Sequence, residues 1–442
     1  MTEADKEAML AVIGVDSADE LFADIPESIR LERPLNIPKG MAEAEVRRHV
    51  EALAAKNADV TKYASFLGAG AYDHLIPAAV GQLVSRSEFY TSYTPYQPEM
   101  TQGVLQATYE YQTHIAQLTG MDLANASIYD GATALAEAAL VACAHTGREK
   151  VLIPQTVHPE YRQVVDTYLR HQNFHVVEVP YKDGVTDMER LADMLDDTVA
   201  AVVVQQPNFF GSLEEARTFG ELAEKHGALL IACTTDPLTL GLLEPPGAFG
   251  AHIAVGEGQP LGNPLSFGGP HLGFFAARDD LVRRIPGRIA GATVDKDGTP
   301  GYVLTLQTRE QHIRRERATS NICTNQALNA ITAAVYLTLL GKQGVRDVAH
   351  QCLQKAHYAR RVITSLPGFA AAWERPFFHE FVVRTTANPE ELVQRLLEHQ
   401  IIGGLPLGRF YPELSDCMLF CVTEARTKEE IDRLAAALEG LT

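Results

Sequence analysis

No lysine lies between Lys225 and Lys296 of this 442-residue chain, so whatever that interval does is done without a primary amine. Positive charge is scarce throughout. The 38 basic against 56 acidic side chains leave a formal net charge of −18. That argues against nucleic acid or an anionic membrane surface as the main partner, since both need a concentrated positive face. No apolar run approaches the length of a membrane span, and the opening MTEADKEAML has no apolar core of the kind a signal peptide carries. HExxH, CxxC, GxSxG and Walker patterns are all missing, so no metal site, serine nucleophile or nucleotide loop is expected. Cys143, Cys233, Cys323, Cys352, Cys417 and Cys421 are scattered. A chain this long has no need of disulfide staples, and a reducing, cytoplasmic compartment is expected. There is no repeat, heptad pattern or low-complexity tract.

What is present describes an ordinary globular chain, 46% hydrophobic and 21% charged, long enough to bury a sizeable core. Ala42–Asn57 is rich in good helix formers, and Leu31–Lys39, broken by Pro34 and Pro38, reads as an extended arm. Val104, Thr108, Tyr111, Ile115 and Leu118 mark one buried face of a helix that ends at Gly120. From Asp130 short β-branched runs alternate with helical segments, which predicts βαβ crossovers and a mostly parallel sheet covered on both faces. After Arg309 the rhythm changes to long helices, Asn325–Leu340 and Val345–Leu366, and then to an α+β alternation. The predicted organisation is a helical arm (1–75), a large α/β domain (76–324) and a small α+β domain (325–442).

In an open parallel sheet, ligands bind at the carboxyl ends of strands beside helix N-termini. Tyr129–Thr133 opens a helix there and could receive an anion, although a plain cap at Asp130 explains it as well. His158 follows a strand and could stack on an aromatic ligand, but a lone histidine is more often structural. The loop Gly256–Gly269 superficially resembles a dinucleotide fingerprint, yet its spacing is wrong and Pro260 and Pro264 forbid the helix that should follow. Phe89–Glu99 (FYTSYTPYQPE) gathers three tyrosines with Gln97 and Glu99 on a proline-stiffened loop, a composition suited to lining a small polar pocket. Arg309–Thr324 (REQHIRRERATSNICT) sets a basic cluster before hydroxyl and amide residues at the domain boundary.

Taken together, SYTPYQPEMTQG, DGATALAEA, GEGQPLGNPLSFGGPH and TREQHIRRERATSNICTNQAL resemble the glycine decarboxylase (P-protein) family of the glycine cleavage system. The likeness is closest to subunit 1 of the form split over two chains. The resemblance implies a fold-type-I pyridoxal-phosphate architecture. It also implies a reaction in which glycine is decarboxylated with the pyridine ring as electron sink, and the aminomethyl group passes to the lipoyl arm of the carrier H-protein. In split forms the lysine that tethers pyridoxal phosphate belongs to subunit 2. Here Gln259 stands at the equivalent place, and an amide forms no imine. Cys233 and Thr234 occupy the strand end where an Asp pairs the pyridine nitrogen, with Asp236 displaced.

The expectation is therefore a partner half, inactive alone, that completes an interface site in an assembly of two copies of each subunit. Tyr93, Tyr96, Gln97 and Glu99 are expected to face substrate or cofactor across the interface. Thr319, Ser320 and Asn321 are the candidates for the cofactor phosphate, and Arg309, Arg314, Arg315 and Arg317 for docking the acidic carrier. The rival readings are a degenerate scaffold that only stabilises its partner or docks the carrier, and an independent enzyme using another lysine such as Lys296.

Overall fold

The computed structural model describes residues 1–31 and 33–441. Met1–Asn57 forms one compact unit and Ala58–Thr442 another. In the first, α1 (Glu3–Ile13) begins with a capping box between Thr2 and Asp5, two short 3-10 turns (Ala18–Phe22 and Glu27–Ile29) follow, and α2 (Glu43–Ala54) is the second helix. Neither helix has a buried residue. Residues 58–75, predicted to continue the arm, lie in the second unit, where Ala64–Ser65 pairs in parallel with Ile401–Ile402.

The second unit is built on a seven-stranded sheet. Its strands are β1 (Leu123–Ala124), β2 (Lys150–Pro154), β3 (His175–Val179), β4 (Val199–Gln205), β5 (Leu229–Thr234), β6 (Ile253–Glu257) and β7 (Gly273–Ala277). They lie in the order β1-β7-β6-β5-β4-β2-β3, and β7 alone runs antiparallel to its neighbours. Period-two alternation sorts the strand side chains between two cores. Ile153, Val203 and Ile231 pack on one face with α4 (Gly131–Thr146) and α5 (Pro159–Leu169). Leu152, Val202 and Leu230 pack on the other with Phe219 and Ala223 of the helix Ala216–His226. The helix Gln102–Thr119, predicted from its apolar spacing, ends at Gly120 in the left-handed conformation.

A hairpin of β8 (Ile289–Val294) and β9 (Pro300–Thr305) was not foreseen from the sequence. Its far end is exposed, so it shows no clean alternation to read. The long helix α6 (Ala327–Thr364) is the two predicted helices joined end to end, with Gly341 (φ 59°, ψ −178°) as the break between them. A four-stranded antiparallel sheet of Phe369–Ala371, Glu380–Thr385, β10 (Leu405–Pro406) and β11 (Cys417–Cys421) completes the C-terminal part. The last helix, Lys428–Glu439, opens with a capping box of Thr427 and Glu430, the T-x-x-E pattern that marks a helix start in sequence.

Gly256 sits inside β6 at a point of close approach. A Cβ there would fall 1.8 Å from the Thr234 carbonyl oxygen on β5 and 2.7 Å from the Phe274 ring. The glycine is therefore required by space. Gly256→Ala is expected to lower the unfolding free energy by about 2–3 kcal/mol, read by chemical denaturation; an unchanged midpoint would show that the β5–β6 contact yields freely.

Candidate functional site

The helix α4 starts at the carboxyl end of the sheet. Asp130, in extended conformation, caps it by accepting the Thr133 N–H at 2.8 Å. The Gly131 N–H is given to Glu257 Oε2 at 3.1 Å, and Glu257 Oε1 accepts from the N–H groups of Gln259 and Leu272, both at 3.0 Å. The positive end of α4 thus already faces carboxylates of the protein itself. Burial pushes the Glu257 carboxyl up to about 8, against the pull of its three N–H partners. In front of it opens a cleft of about 530 Å³, lined among others by Tyr129, Asp130, His158, Glu160 and His271. No arginine or lysine is among its described lining residues, so an anion placed here would meet carboxylates.

Three buried groups, Gln259, His158 and Asp236, are tied to one short segment, Ala69–His74. Gln259 is 2% exposed. Its Oε1 accepts the Tyr72 N–H at 2.9 Å, and its Nε2 donates to the carbonyls of Tyr72 (3.0 Å) and Asn263 (2.8 Å). His158 accepts the Glu160 N–H on Nδ1 at 3.2 Å, which leaves Nε2–H to donate to the Ala69 carbonyl at 2.9 Å. Burial lowers the pKa of this imidazole, consistent with that neutral tautomer. Its ring lies 4.8 Å from Tyr161 and 4.9 Å from Phe209, centroid to centroid. Asp236 accepts from His74 Nε2 at 3.2 Å and caps Leu238 through its other oxygen. The Tyr72 hydroxyl completes the arrangement, donating to Glu380 Oε2 at 2.8 Å and lying 3.0 Å from Thr235 Oγ1.

These residues do not fit pyridoxal phosphate. Gln259, expected at the tethering position, is an amide with both ends committed. The histidine suited to stacking is bonded to the chain's own backbone, the nearby acid to the chain's own histidine, and the helix end to Glu257. Lys296 offers no substitute, since it is 89% exposed at the β8–β9 turn with Asp297 as its ion partner.

The other sequence-predicted residues gather elsewhere, around a residue that sequence reasoning missed. Arg288, 3% exposed, donates from Nη2 to Tyr96 Oη (3.0 Å) and to the Cys323 carbonyl (2.8 Å), and from Nη1 to Asn325 Oδ1 (3.2 Å). One guanidinium therefore joins the tyrosine loop to the TSNICT segment. Tyr93 and Tyr96 remain 76% and 57% exposed, and Gln97 and Glu99 are exposed beside them. Thr319 and Asn321 are also exposed, while Ser320 reaches Glu137 on α4. Arg314, Arg315 and Arg317 are exposed, but Arg309 is turned inward and donates to the carbonyls of Ile285 and Gly287. Nothing in the pattern around Arg288, Tyr72, Glu257 or Glu380 distinguishes them, because each draws its role from residues far away in sequence.

Two predictions follow from this geometry. Gln259→Lys would leave the Tyr72 N–H without its acceptor, at a cost of about 1–3 kcal/mol, and would bury an ammonium group. It should destabilise the chain without giving the purified protein the visible absorbance of lysine-bound pyridoxal phosphate; appearance of that absorbance would overturn the misfit. Glu137 is 2% exposed, and burial raises its carboxyl from 4.5 to about 7. Its contribution to stability is complete below pH 4.5 and is lost as pH rises through about 7. The melting temperature of the native chain should therefore fall more steeply across that interval than that of Glu137→Gln, and parallel profiles would refute the assignment.

Comparison with known proteins agrees with this architecture. The family model described as glycine cleavage system P-protein matches residues 1–438. A relative from Desulfitobacterium hafniense, named probable glycine dehydrogenase (decarboxylating) subunit 1, is 57% identical over 433 residues, covering 98% of this chain and 97% of its own. One of the same name from Moorella thermoacetica is 56% identical over 440 residues, 100% of this chain and 98% of its own. The crystal structure of a glycine decarboxylase (P-protein) of the glycine cleavage system, in inhibitor-bound form, superposes with a TM-score of 0.93 at 45% identity, covering 100% of this chain and 99% of that one. A sphingosine-1-phosphate lyase from Burkholderia pseudomallei, 15% identical with a TM-score of 0.65 over 94% of each chain, shares the fold alone, which is the fold-type-I architecture of pyridoxal-phosphate enzymes. The chain belongs to the glycine cleavage system P-protein family.

Proposed function

We infer that this chain is the lysine-free subunit of a two-chain glycine dehydrogenase (decarboxylating), completing an active site whose pyridoxal phosphate is held by subunit 2. The observation that carries the reading is the committed Gln259 amide, in a chain that matches subunit 1 relatives over nearly their whole length. When bound to the partner, the cofactor supplies the electron sink for decarboxylation.

This chain's part is to close and shape the pocket. Arg288 anchors Tyr96 and the TSNICT segment together, so Tyr93, Tyr96, Gln97 and Glu99 present a prepositioned polar wall to the partner. Thr319, Ser320 and Asn321 offer hydroxyl and amide groups to the cofactor phosphate from the same wall. Arg314, Arg315 and Arg317 form an exposed basic patch on an otherwise acidic protein and steer an acidic lipoyl-bearing H-protein. Arg309 supports that segment from inside. The assembly contains two copies of each subunit and works in the cytoplasm. Among the described residues no helix is long and apolar enough to cross a membrane.

The test is reconstitution. Alone, the chain should release no carbon dioxide from glycine; with subunit 2 and H-protein it should do so. In the mixed complex, Tyr96→Phe and Asn321→Ala should each lower the rate by about 10-fold or more, equivalent to about 1.4 kcal/mol of barrier. Normal rates from both variants would reduce the chain to a scaffold.

A further inference from the structure

A second cluster lies behind the Tyr72 segment, and it combines three kinds of metal-binding donor. The Nδ1 atom of His74, the Sγ atom of Cys352 and a carboxylate oxygen of Glu424 all lie within 4.8 Å of one another. They come from the loop after Ala69, from α6 and from the chain just beyond β11. His74 and Cys352 are 7% and 1% exposed, and the Glu424 side chain 6%. We propose that His74, Cys352 and Glu424 bind a divalent transition-metal ion of the zinc class, which pins the Tyr72–His74 segment to α6 and to the end of β11.

The chemistry of the donor set favours this ion. Thiolate, imidazole and carboxylate together are ligands of zinc and its neighbours; calcium and magnesium take oxygen. Bond lengths to such an ion are about 2.0–2.3 Å. Nδ1 and Glu424 Oε2 are 2.6 Å apart and Sγ and Oε2 3.3 Å, so the carboxylate has to withdraw from the ring by roughly an ångström or less to admit it. Glu424 would bind through one oxygen only, because Oε1 holds the Leu75 N–H at 2.7 Å. Asp236 supplies the usual outer partner. It accepts from His74 Nε2, which fixes the ring and leaves Nδ1 to present its lone pair. Binding releases the Cys352 thiol proton and any proton on Nδ1 to solvent, and the dication is balanced by one thiolate and one carboxylate.

A second observation points the same way. The Tyr336 hydroxyl and both ring nitrogens of His379 are buried without a hydrogen-bond partner. Both side chains border this cluster: His379 Nε2 is 3.2 Å from Asp236 Oδ2, and Tyr336 is in electrostatic range of His74, Glu424, Asp236 and Cys352. Orphaned polar atoms gathered around convergent donors mark a place where an ion and its water complete the network. Without an ion the cluster is an Asp236–His74–Glu424 triad in which the Cys352 thiol donates to Glu424 Oε2 at 3.3 Å and accepts the Glu424 N–H at 3.2 Å. The ion replaces the thiol proton of the first contact, and Tyr336 and His379 are the groups the triad does not satisfy.

The full-length chain, stripped of metal and titrated with Co²⁺, tests the site. It should take up one equivalent and develop the near-ultraviolet thiolate-to-cobalt band with the visible bands of a tetrahedral ion, and equimolar Zn²⁺ should displace it. Cys352→Ser should abolish the thiolate band and weaken uptake at least tenfold, whereas Cys323→Ser, at the one exposed cysteine, should leave both unchanged. Absence of uptake, uptake by the native chain without a thiolate band, or a band that survives in Cys352→Ser would each overturn the proposal. The native titration decides on its own if Cys352→Ser fails to fold.

Discussion

Everything in the cleft depends on one buried amide holding a passing strand of backbone. Gln259 satisfies the N–H and the carbonyl of Tyr72 at once, much as a neighbouring strand would. A buried segment has to place its backbone polar groups somewhere, and Ala69–His74 lies outside every described strand. The amide side chain takes that role. A lysine at the same position could donate but not accept, so the Tyr72 N–H would be stranded. The residue that removes a chemical handle is therefore also the residue that lets the segment pass.

The consequences spread from there. With Tyr72 fixed, its hydroxyl reaches Thr235 and Glu380, and His74 is delivered to Asp236 and Glu424. Ala69 is placed to accept from His158. The sheet's carboxyl edge thus becomes a junction between the large α/β layer and the C-terminal antiparallel sheet, whose strand Glu380–Thr385 brings Glu380 and whose β11 leads on to Glu424. Buried polar networks of this kind confer a unique arrangement only when each member finds its partner. Among the atoms left without one are those on Tyr336 and His379, which stand beside His74, Cys352 and Glu424.

The exposed tyrosine loop is of a different character. Tyr93, Tyr96 and Met100 are largely exposed yet not loosely held, since Arg288 anchors Tyr96 through a hydrogen bond and with its guanidinium 5.3 Å over the ring. Prepositioned aromatic groups lose little conformational entropy when a partner covers them. The contrast between buried polar groups committed to one another and an ordered exposed wall supports the division of labour inferred above.

The sequence by itself determined the local elements: the alternating strands and helices, the caps at Asp130 and Thr427, the stop at Gly120 and the break at Gly341. Each depends on residues within a turn or two of one another, which is why their signals are legible in one dimension. The missing lysine was equally legible, because an absence needs no partner to be read. The hairpin β8–β9 escaped because its exposed end carries no alternation. What Gln259 does instead of a lysine, why Arg288 matters, and that His74, Cys352 and Glu424 meet were decided only by the tertiary structure. Those contacts join positions scores to hundreds of residues apart, and no periodicity or spacing in the chain records which distant groups the sheet will bring to the same edge.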